Sequence, residues 1–287
     1  MIDEPFISII TITFNNLSGI QTTLESILAS DINKAVEWIV VDGGSNDGTE
    51  SYINSCRVLL LKRNCTLDYR NEKDRGRYDG MNKGIERMHG KWCIFLNAGD
   101  AFCFNTTLPL LINTASEVKD SIGLIYGDSI LAKYGKYKYA KAPDTDMLNF
   151  KGPNPICHQS CLIRTDIMKK YKYDITYKYA ADFDFIVKLY KNNISFKYIN
   201  TPVSLYDKTG LSSKNTFAVN IEFSEISHKY GYLNNFEYER KINGNKKIKR
   251  IIKKYLPKSF LLLALKLLND REMNNWSENI ESVYKIR

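Results

Sequence analysis

Two repeats of apolar residues alternate along the first hundred positions. Phe6-Ile7-Ser8-Ile9-Ile10-Thr11-Ile12-Thr13 is β-branched and bounded by polar residues, which predicts a strand. Leu17 to Ser30 puts Leu17, Ile20, Leu24, Ile27 and Leu28 on one helical face. Ala35 to Val41 predicts the second strand, Thr49 to Ser55 the start of a second helix, and Val58 to Lys62 a third strand. Tyr78 to Met88 then predicts a helix with Gly90 as its C′ glycine, and Lys91 to Leu96 the next strand. Strands alternating with helices predict a mainly parallel sheet.

The middle of the chain follows another rhythm. Leu124–Ser129 and Lys136–Ala140 predict shorter, antiparallel strands. Gly152-Pro153-Asn154-Pro155 interrupts the pattern, and Ile156 to Ile163 resumes it as a strand. Ala181 to Lys191 reads as a helix, with strands near Ile194–Ile199 and Val203–Tyr206. Beyond Phe217 the pattern turns helical and basic. The division expected is an α/β domain over 1–215, its halves meeting near 100, and a helical appendage over 216–287.

Composition narrows the class without naming a function. The chain has 287 residues, 44% hydrophobic and 25% charged, enough to bury a substantial core. Its six cysteines form no CxxC pair, so neither a zinc site nor a disulfide framework is expected and a reducing cytoplasm is the default. The amino-terminal residues lack the pattern of a signal peptide, and no apolar run approaches the ~20 residues that span a bilayer. The net charge of +9 gathers toward the carboxyl terminus, with Lys246, Lys247, Lys249, Arg250, Lys253, Lys254 and Lys258 in one stretch.

Candidate chemistry sits at the ends of the predicted elements. The second strand delivers Asp42 into Gly43-Gly44-Ser45-Asn46-Asp47-Gly48-Thr49. Ligands of open α/β sheets bind at the carboxyl ends of strands, and a carboxylate there suits a base or ribose better than a phosphate. An ordinary turn with Asp47 or Thr49 as helix cap is the alternative. Asp100 follows the fourth predicted strand, and Asp182 and Asp184 open a helix. Between Asp42 and Asp100, the loop at Asn71-Glu72-Lys73-Asp74-Arg75-Gly76 precedes a helix amino terminus, where backbone N–H groups favour an anion. As a structural alternative, the loop is solvated and Asp79 caps the helix.

Taken in order, the segments Ile9–Asn15, Val41–Thr49, Glu72–Gly76, Asp79–Gly84, Leu96–Asp100, His158-Gln159-Ser160 and Ala181–Phe185 resemble the family 2 glycosyltransferases of the GT-A fold. The likeness covers roughly residues 6 to 215. It implies a Rossmann-like, mainly parallel sheet flanked by helices, and a nucleotide-sugar donor, with UDP as the nucleotide. By the same resemblance, Thr11, Thr13, Asn15 and Asp42 line the base pocket, and Glu72 and Asp74 stand near the ribose and sugar. Asn97 and Asp100 fall in the segment that in the family is Asp-x-Asp and brings Mg²⁺ or Mn²⁺ to the diphosphate. Here Asn97 and Gly99 occupy the two positions that are usually Asp, so Asp100 is the single carboxylate expected at the metal.

Asp182 matches the family's catalytic base for an inverting displacement. Asp184, two residues on, cannot share its helical face, so one of the two is expected to face the cleft and Asp182 is preferred. His158 is expected to touch diphosphate, metal or acceptor, against a structural role. Lys208, Gly210, Ser212, Ser213 and Lys214 form a polar loop able to close over the diphosphate, or a surface turn.

From Ile248 to Leu268, basic residues mix with an aliphatic block, the pattern of a helix on a membrane surface. Packing on the domain or on a second copy in a homodimer is the alternative, and no nucleic-acid motif accompanies the charge. The acceptor expected is a saccharide or a polyprenyl-diphosphate-linked saccharide of a surface polysaccharide such as O-antigen, met at the inner face of the plasma membrane. A sugar-nucleotide-binding protein that has lost catalysis is the competing class, motivated by the missing carboxylates. A dinucleotide oxidoreductase is disfavoured because Phe14-Asn15-Asn16-Leu17-Ser18-Gly19 lacks the G-x-G-x-x-G turn.

Overall fold

The structure is a computed structural model that describes residues 4–210, 215–244, 273 and 276–280. Ser212, Ser213, Lys214 and the basic stretch Ile248–Leu268 lie outside the described residues.

Buried apolar runs build the centre of a nine-stranded sheet. Strands β1 (Ile7–Thr13), β2 (Val36–Asp42), β3 (Cys65–Asn71) and β4 (Trp92–Phe95) run parallel in the order β3-β2-β1-β4. Successive residues of β1 and β2 enter different cores: Ile9, Trp38 and Val40 pack on one face, Ile10, Ile39 and Val41 on the other. Burial of both faces explains why these strands read as continuous hydrophobic runs. Helices α1 (Leu17–Leu28), α2 (Thr49–Ser55) and α3 (Arg57–Lys62) follow β1 and β2, and α4 (Arg77–Arg87) carries the chain back across β1 to β4. The strand order therefore reverses between β1 and β4, where open α/β sheets form their ligand crevice.

The sheet continues beyond β4 with mixed polarity. Its further strands are β5 (Ala101–Phe102), β6 (Ile122–Lys133), β7 (Lys136–Ala140), β8 (Cys161–Arg164) and β9 (Ser195–Asp207), extending the order as β4-β8-β6-β9-β5 with β7 paired to β6. β8 is antiparallel to β4 and β6, whereas β6 and β9 are parallel. Helices α5 (Thr107–Glu117), α6 (Thr165–Tyr171), α7 (Ala181–Lys191) and α8 (Thr216–Lys229) complete the layers. Ile226 of α8 shares the core with Phe183 and Phe185 of α7. Near the carboxyl terminus, Trp276 is buried and Ser277 exchanges backbone hydrogen bonds with Tyr137 of β7.

Five expectations change, the first being the short strand over Leu124–Ser129, which is part of the 12-residue β6. Val58–Lys62 is helix α3, not a strand: Leu60 alone is buried while Val58, Leu59 and Leu61 are exposed. The true third strand is the partly polar edge strand β3. Gly90 is not the C′ residue, because α4 already ends at Arg87. Its lack of a side chain serves close approach instead, since a Cβ there would lie 2.7 Å from the Ser8 backbone nitrogen. Within Ile156–Ile163, His158–Ser160 form a 3₁₀ turn and only the strand β8 follows. The two strands expected over 194–206 are one, β9, whose pairing with β6 shifts register around Asp128.

Candidate active site

At the carboxyl end of β1 the chain leaves the sheet through Phe14 and Asn15 and enters α1. The Asn16 side chain caps that helix by accepting from Gly19 N–H (3.1 Å), and its Nδ2 donates to Ala98 O (3.0 Å). Gly19 makes this approach possible: a Cβ would lie 2.8 Å from the Ala98 carbonyl carbon. The α1 amino terminus is thereby locked to the Asn97–Asp100 turn after β4, and Gly99 N–H donates to Gly19 O (3.0 Å).

A cavity of about 520 Å³ opens at this junction, with Thr13, Phe14, Gly43, Asp74, Asp100 and Asp207 in its lining. A second cavity of about 430 Å³ adjoins it and is lined in part by Tyr78, Lys141, His158, Tyr179 and Asp182. Arg77, Asn97, Gln159 and Tyr206 line both, so the two spaces adjoin at these side chains.

Asp100 is buried where three elements meet. Its Oδ2 accepts from Asn97 N–H (3.1 Å) and Gln159 Nε2 (3.2 Å), and its Oδ1 accepts from Asp207 N–H (3.0 Å). Burial pushes its carboxyl up to about 7 against those hydrogen bonds. Among the described residues, no group of three or more His, Cys, Asp or Glu side chains converges as a ready-made metal cage. The oxygens on the cavity wall nevertheless suit a hard cation that keeps waters and phosphate oxygens. Two of them, Asn97 Oδ1 and Thr13 Oγ1, are buried without a hydrogen-bond partner.

Asp182 lies in the first turn of α7 and lines the second cavity. Its Oδ1 accepts from the Tyr78 hydroxyl (2.7 Å), which also contacts Tyr179 O (2.8 Å). Burial and the Asp182 charge hold that phenol well above its usual range. Glu222 of α8 fixes the approach to α7 by accepting from the N–H groups of Lys178, Tyr179 and Ala180 at 2.9, 2.8 and 2.8 Å. Asp184 points elsewhere. It is fully buried, pairs with Lys229 (2.9 Å) and Lys188 (3.1 Å), and accepts from the Tyr230 hydroxyl (3.1 Å). Burial opposes the charge of Lys229, but the Asp184 carboxylate prevails and holds it above the lysine range. That cluster ties α7 to α8 and lines neither cavity.

His158 borders the second cavity yet is itself buried. Its ring lies 4.9 Å from Phe95, centroid to centroid, and Nε2 contacts the Tyr173 hydroxyl. Burial lowers its pKa, favouring the neutral imidazole.

Four residues expected at the donor lie outside the lining of the two cavities. Thr11 is buried in the sheet and accepts from the Trp38 indole N–H (2.8 Å). Asn15, in a left-handed conformation (φ 47°), braces the neighbouring loop: its Oδ1 accepts from Asn46 N–H and its own N–H donates to Ser45 Oγ. Asp42 accepts from Gly44 N–H (3.1 Å), Ser45 N–H (2.8 Å) and the Tyr69 hydroxyl (2.9 Å), so it organises its own loop. Glu72 is half-exposed opposite Lys83 (3.6 Å). None of the four lines either cavity. The structure does bring Thr13, Asp74, Asn97 and Asp100 to the first cavity, and Asn97, His158 and Asp182 to the second.

The capping alternatives resolve against a side-chain cap: Gly48 is the N-cap residue of α2 and Gly76 that of α4, neither with a side-chain cap hydrogen bond. Asp47 accepts from Thr49 N–H and Oγ1 and reaches Leu17 N–H (2.9 Å); the Thr49 hydroxyl is the main cause that lowers its pKa. Asp79 accepts from Arg75 N–H and pairs with its guanidinium, which lowers the Asp79 pKa. Residues that sequence reasoning missed are Tyr78, Gln159, Asp207 and Glu222. Each acts across more than 40 positions of sequence; Gln159 lies inside a motif of the resemblance, beside His158, whereas no local pattern signals the partners of the others.

Residues 8–176 match the model of glycosyl transferase family 2. A PGL/p-HBAD biosynthesis glycosyltransferase of Mycobacterium bovis is 31% identical over 208 residues, covering 72% of this chain and 78% of that protein. Among solved structures, Staphylococcus aureus TarS 1-349 in complex with UDP-GlcNAc superposes with a TM-score of 0.57 at 15% identity, over 89% of this chain and 75% of the other. Against a fuller TarS structure the chain spans 44% of the length. The mannosyltransferase PcManGT from Pyrobaculum calidifontis, in complex with GDP-Man and Mn²⁺, gives 0.59 at 14% identity, over 93% and 80%. These structural likenesses show a shared fold. With a switch-point cavity, a family match over more than half its length and this relative, the chain belongs to glycosyl transferase family 2 and has the GT-A fold.

Proposed function

We propose that this glycosyltransferase moves a sugar from a UDP-sugar to a hydroxyl of a saccharide or lipid-linked saccharide, with inversion at the anomeric carbon. The observation that carries the reading is the pair of adjoining cavities: one at the β1/β4 switch point, the other lined by Asp182. The first has the place and size for a nucleotide donor. The second has aromatic and polar side chains suited to a sugar acceptor. Solved neighbours of this fold were crystallised with UDP, UDP-GlcNAc or GDP-Man, which supports a nucleotide-sugar donor.

Asp182 takes the proton of the acceptor hydroxyl as that oxygen attacks the anomeric carbon. The bond from that carbon to the diphosphate breaks on the opposite face, and the electron pair leaves with the nucleoside diphosphate. Tyr78 orients Asp182 through its hydrogen bond to Oδ1. Arg77 lines both cavities and adds positive charge beside the departing diphosphate. A Mg²⁺ or Mn²⁺ held by Asp100 supplies neutralisation of the leaving group's charge when bound.

The basic, aliphatic pattern of Ile248–Leu268 supports an acceptor presented at the cytoplasmic face of a membrane, as for a polyprenyl-diphosphate-linked saccharide. The test is to incubate the full chain with a panel of UDP-sugars, Mn²⁺ and either a synthetic lipid-diphosphate saccharide or a soluble one. Transfer to the lipid-linked acceptor is expected. Transfer to the soluble acceptor alone removes the lipid from the proposal, and turnover with GDP-sugars alone removes UDP.

A further inference from the structure

The turn after β4 carries one carboxylate, Asp100, and the structure brings a second to the same wall from the end of β9. Asp207 donates its N–H to Asp100 Oδ1 (3.0 Å), which sets the two residues side by side. Its side chain leans over Gly99: a Cβ built on that glycine would lie 3.2 Å from Asp207 Oδ2. Gly99 is also held at φ +105°, a conformation that other residues rarely adopt. A side chain at position 99 would crowd the carboxylate that now fills the space beside it.

Asp100 and Asp207 line the same cavity as Thr13 and Asn97. The Thr13 hydroxyl belongs to a residue only 6% exposed and has no hydrogen-bond partner; neither has the buried Asn97 Oδ1. A buried polar atom left unpaired is costly, so two such atoms on residues lining one cavity point to a polar ligand they serve. All four side chains offer oxygen, the ligand type that Mg²⁺ and Mn²⁺ prefer.

We propose that Asp207 is the second carboxylate of a divalent-cation site shared with Asp100, and that Gly99 is the gap that admits it. The carboxylate absent from position 99 is thus supplied from 107 residues further on than Asp100. This inference rests on the donor reading above insofar as diphosphate oxygens and waters complete the coordination shell.

Asp207 also has a local role that a test must separate from cation binding. Its Oδ1 accepts from Thr209 N–H and its Oδ2 from Thr209 Oγ1, both at 2.8 Å. Asp207→Asn keeps an oxygen for the Thr209 N–H while removing the charge. The experiment is a Mn²⁺ titration followed by electron paramagnetic resonance, using the full-length wild type, Asp207→Asn and Asp100→Asn, each with and without UDP. Loss even of groups that only support a ligand costs 10- to 100-fold in metal affinity, so Asp207→Asn should raise the Mn²⁺ dissociation constant at least about tenfold. Its melting temperature without metal should stay near that of the wild type. Unchanged Mn²⁺ affinity in Asp207→Asn, or no Mn²⁺ binding by the wild type, overturns the proposal. A variant that melts well below the wild type without metal makes Asp207 a turn residue and also overturns it. If Mn²⁺ binding depends on Asp207 but UDP fails to tighten it, the cation site stands and the donor reading fails.

Discussion

Asp42 and Asp100 end neighbouring stretches of the same sheet, on either side of β1, yet their hydrogen bonds come from different parts of the chain. Each carboxylate accepts three hydrogen bonds. Asp42 takes two of its three from its own loop and the third from the adjacent edge strand, and lines neither cavity. Asp100 takes its donors from the turn after β4, from the 3₁₀ turn at Gln159 and from the end of β9, and it faces the cavity where those elements converge. A carboxylate at a strand end can thus be tied to elements distant in sequence, as Asp100 is, or mainly to its own loop, as Asp42 is.

The sharpest way to break this contrast is Asp42→Ala. It strands Gly44 N–H, Ser45 N–H and the Tyr69 hydroxyl, each at a cost of order 1–3 kcal/mol if no water replaces the carboxylate. Urea unfolding should show a loss of about 3 kcal/mol, allowing for partial rescue by solvent. Unchanged stability combined with lost UDP affinity would instead return Asp42 to the role of a base contact.

A smaller effect concerns His158, on the acceptor side of the junction. Burial lowers its pKa from the usual 6.5, so the folded protein resists its protonation. The stability it contributes is present above pH 6.5 and declines as pH falls from there toward the folded-state pKa, because the unfolded chain then binds the proton first. Replacing it in His158→Gln should flatten the decline in unfolding free energy, measured by urea unfolding, as pH falls below 6.5. An identical slope in the variant would assign that acid sensitivity to other groups.

Much of the central sheet was legible because burial on both faces leaves unbroken apolar runs, as in β1 and β2. The edge was not. β3 contains Thr66, Asp68, Arg70 and Asn71, and its polarity gave way to the apolar Val58–Lys62, which is too short for its period to separate strand from helix. At the site, positions at element ends were legible: Asp100 and Asp182 both lie at turns the pattern marks. The direction of a side chain was harder to read. Thr11 and Thr13 share one face of β1 by alternation, yet one meets Trp38 inside the sheet and the other reaches the cavity only because β1 ends there. Pairings such as Asp207 with Asp100, or Glu222 with the approach to α7, depend on tertiary closure and leave no local trace.

The central claim is that Asp182 acts on the acceptor while the donor is held elsewhere. It is tested most directly by Asp182→Asn, measuring UDP-sugar binding by calorimetry and sugar transfer on the same preparation. Donor affinity should stay close to that of the wild type, while transfer falls by about 10²-fold or more, the contribution of a positioned general base. Transfer at the wild-type rate, or loss of transfer explained entirely by lost donor binding, would contradict it.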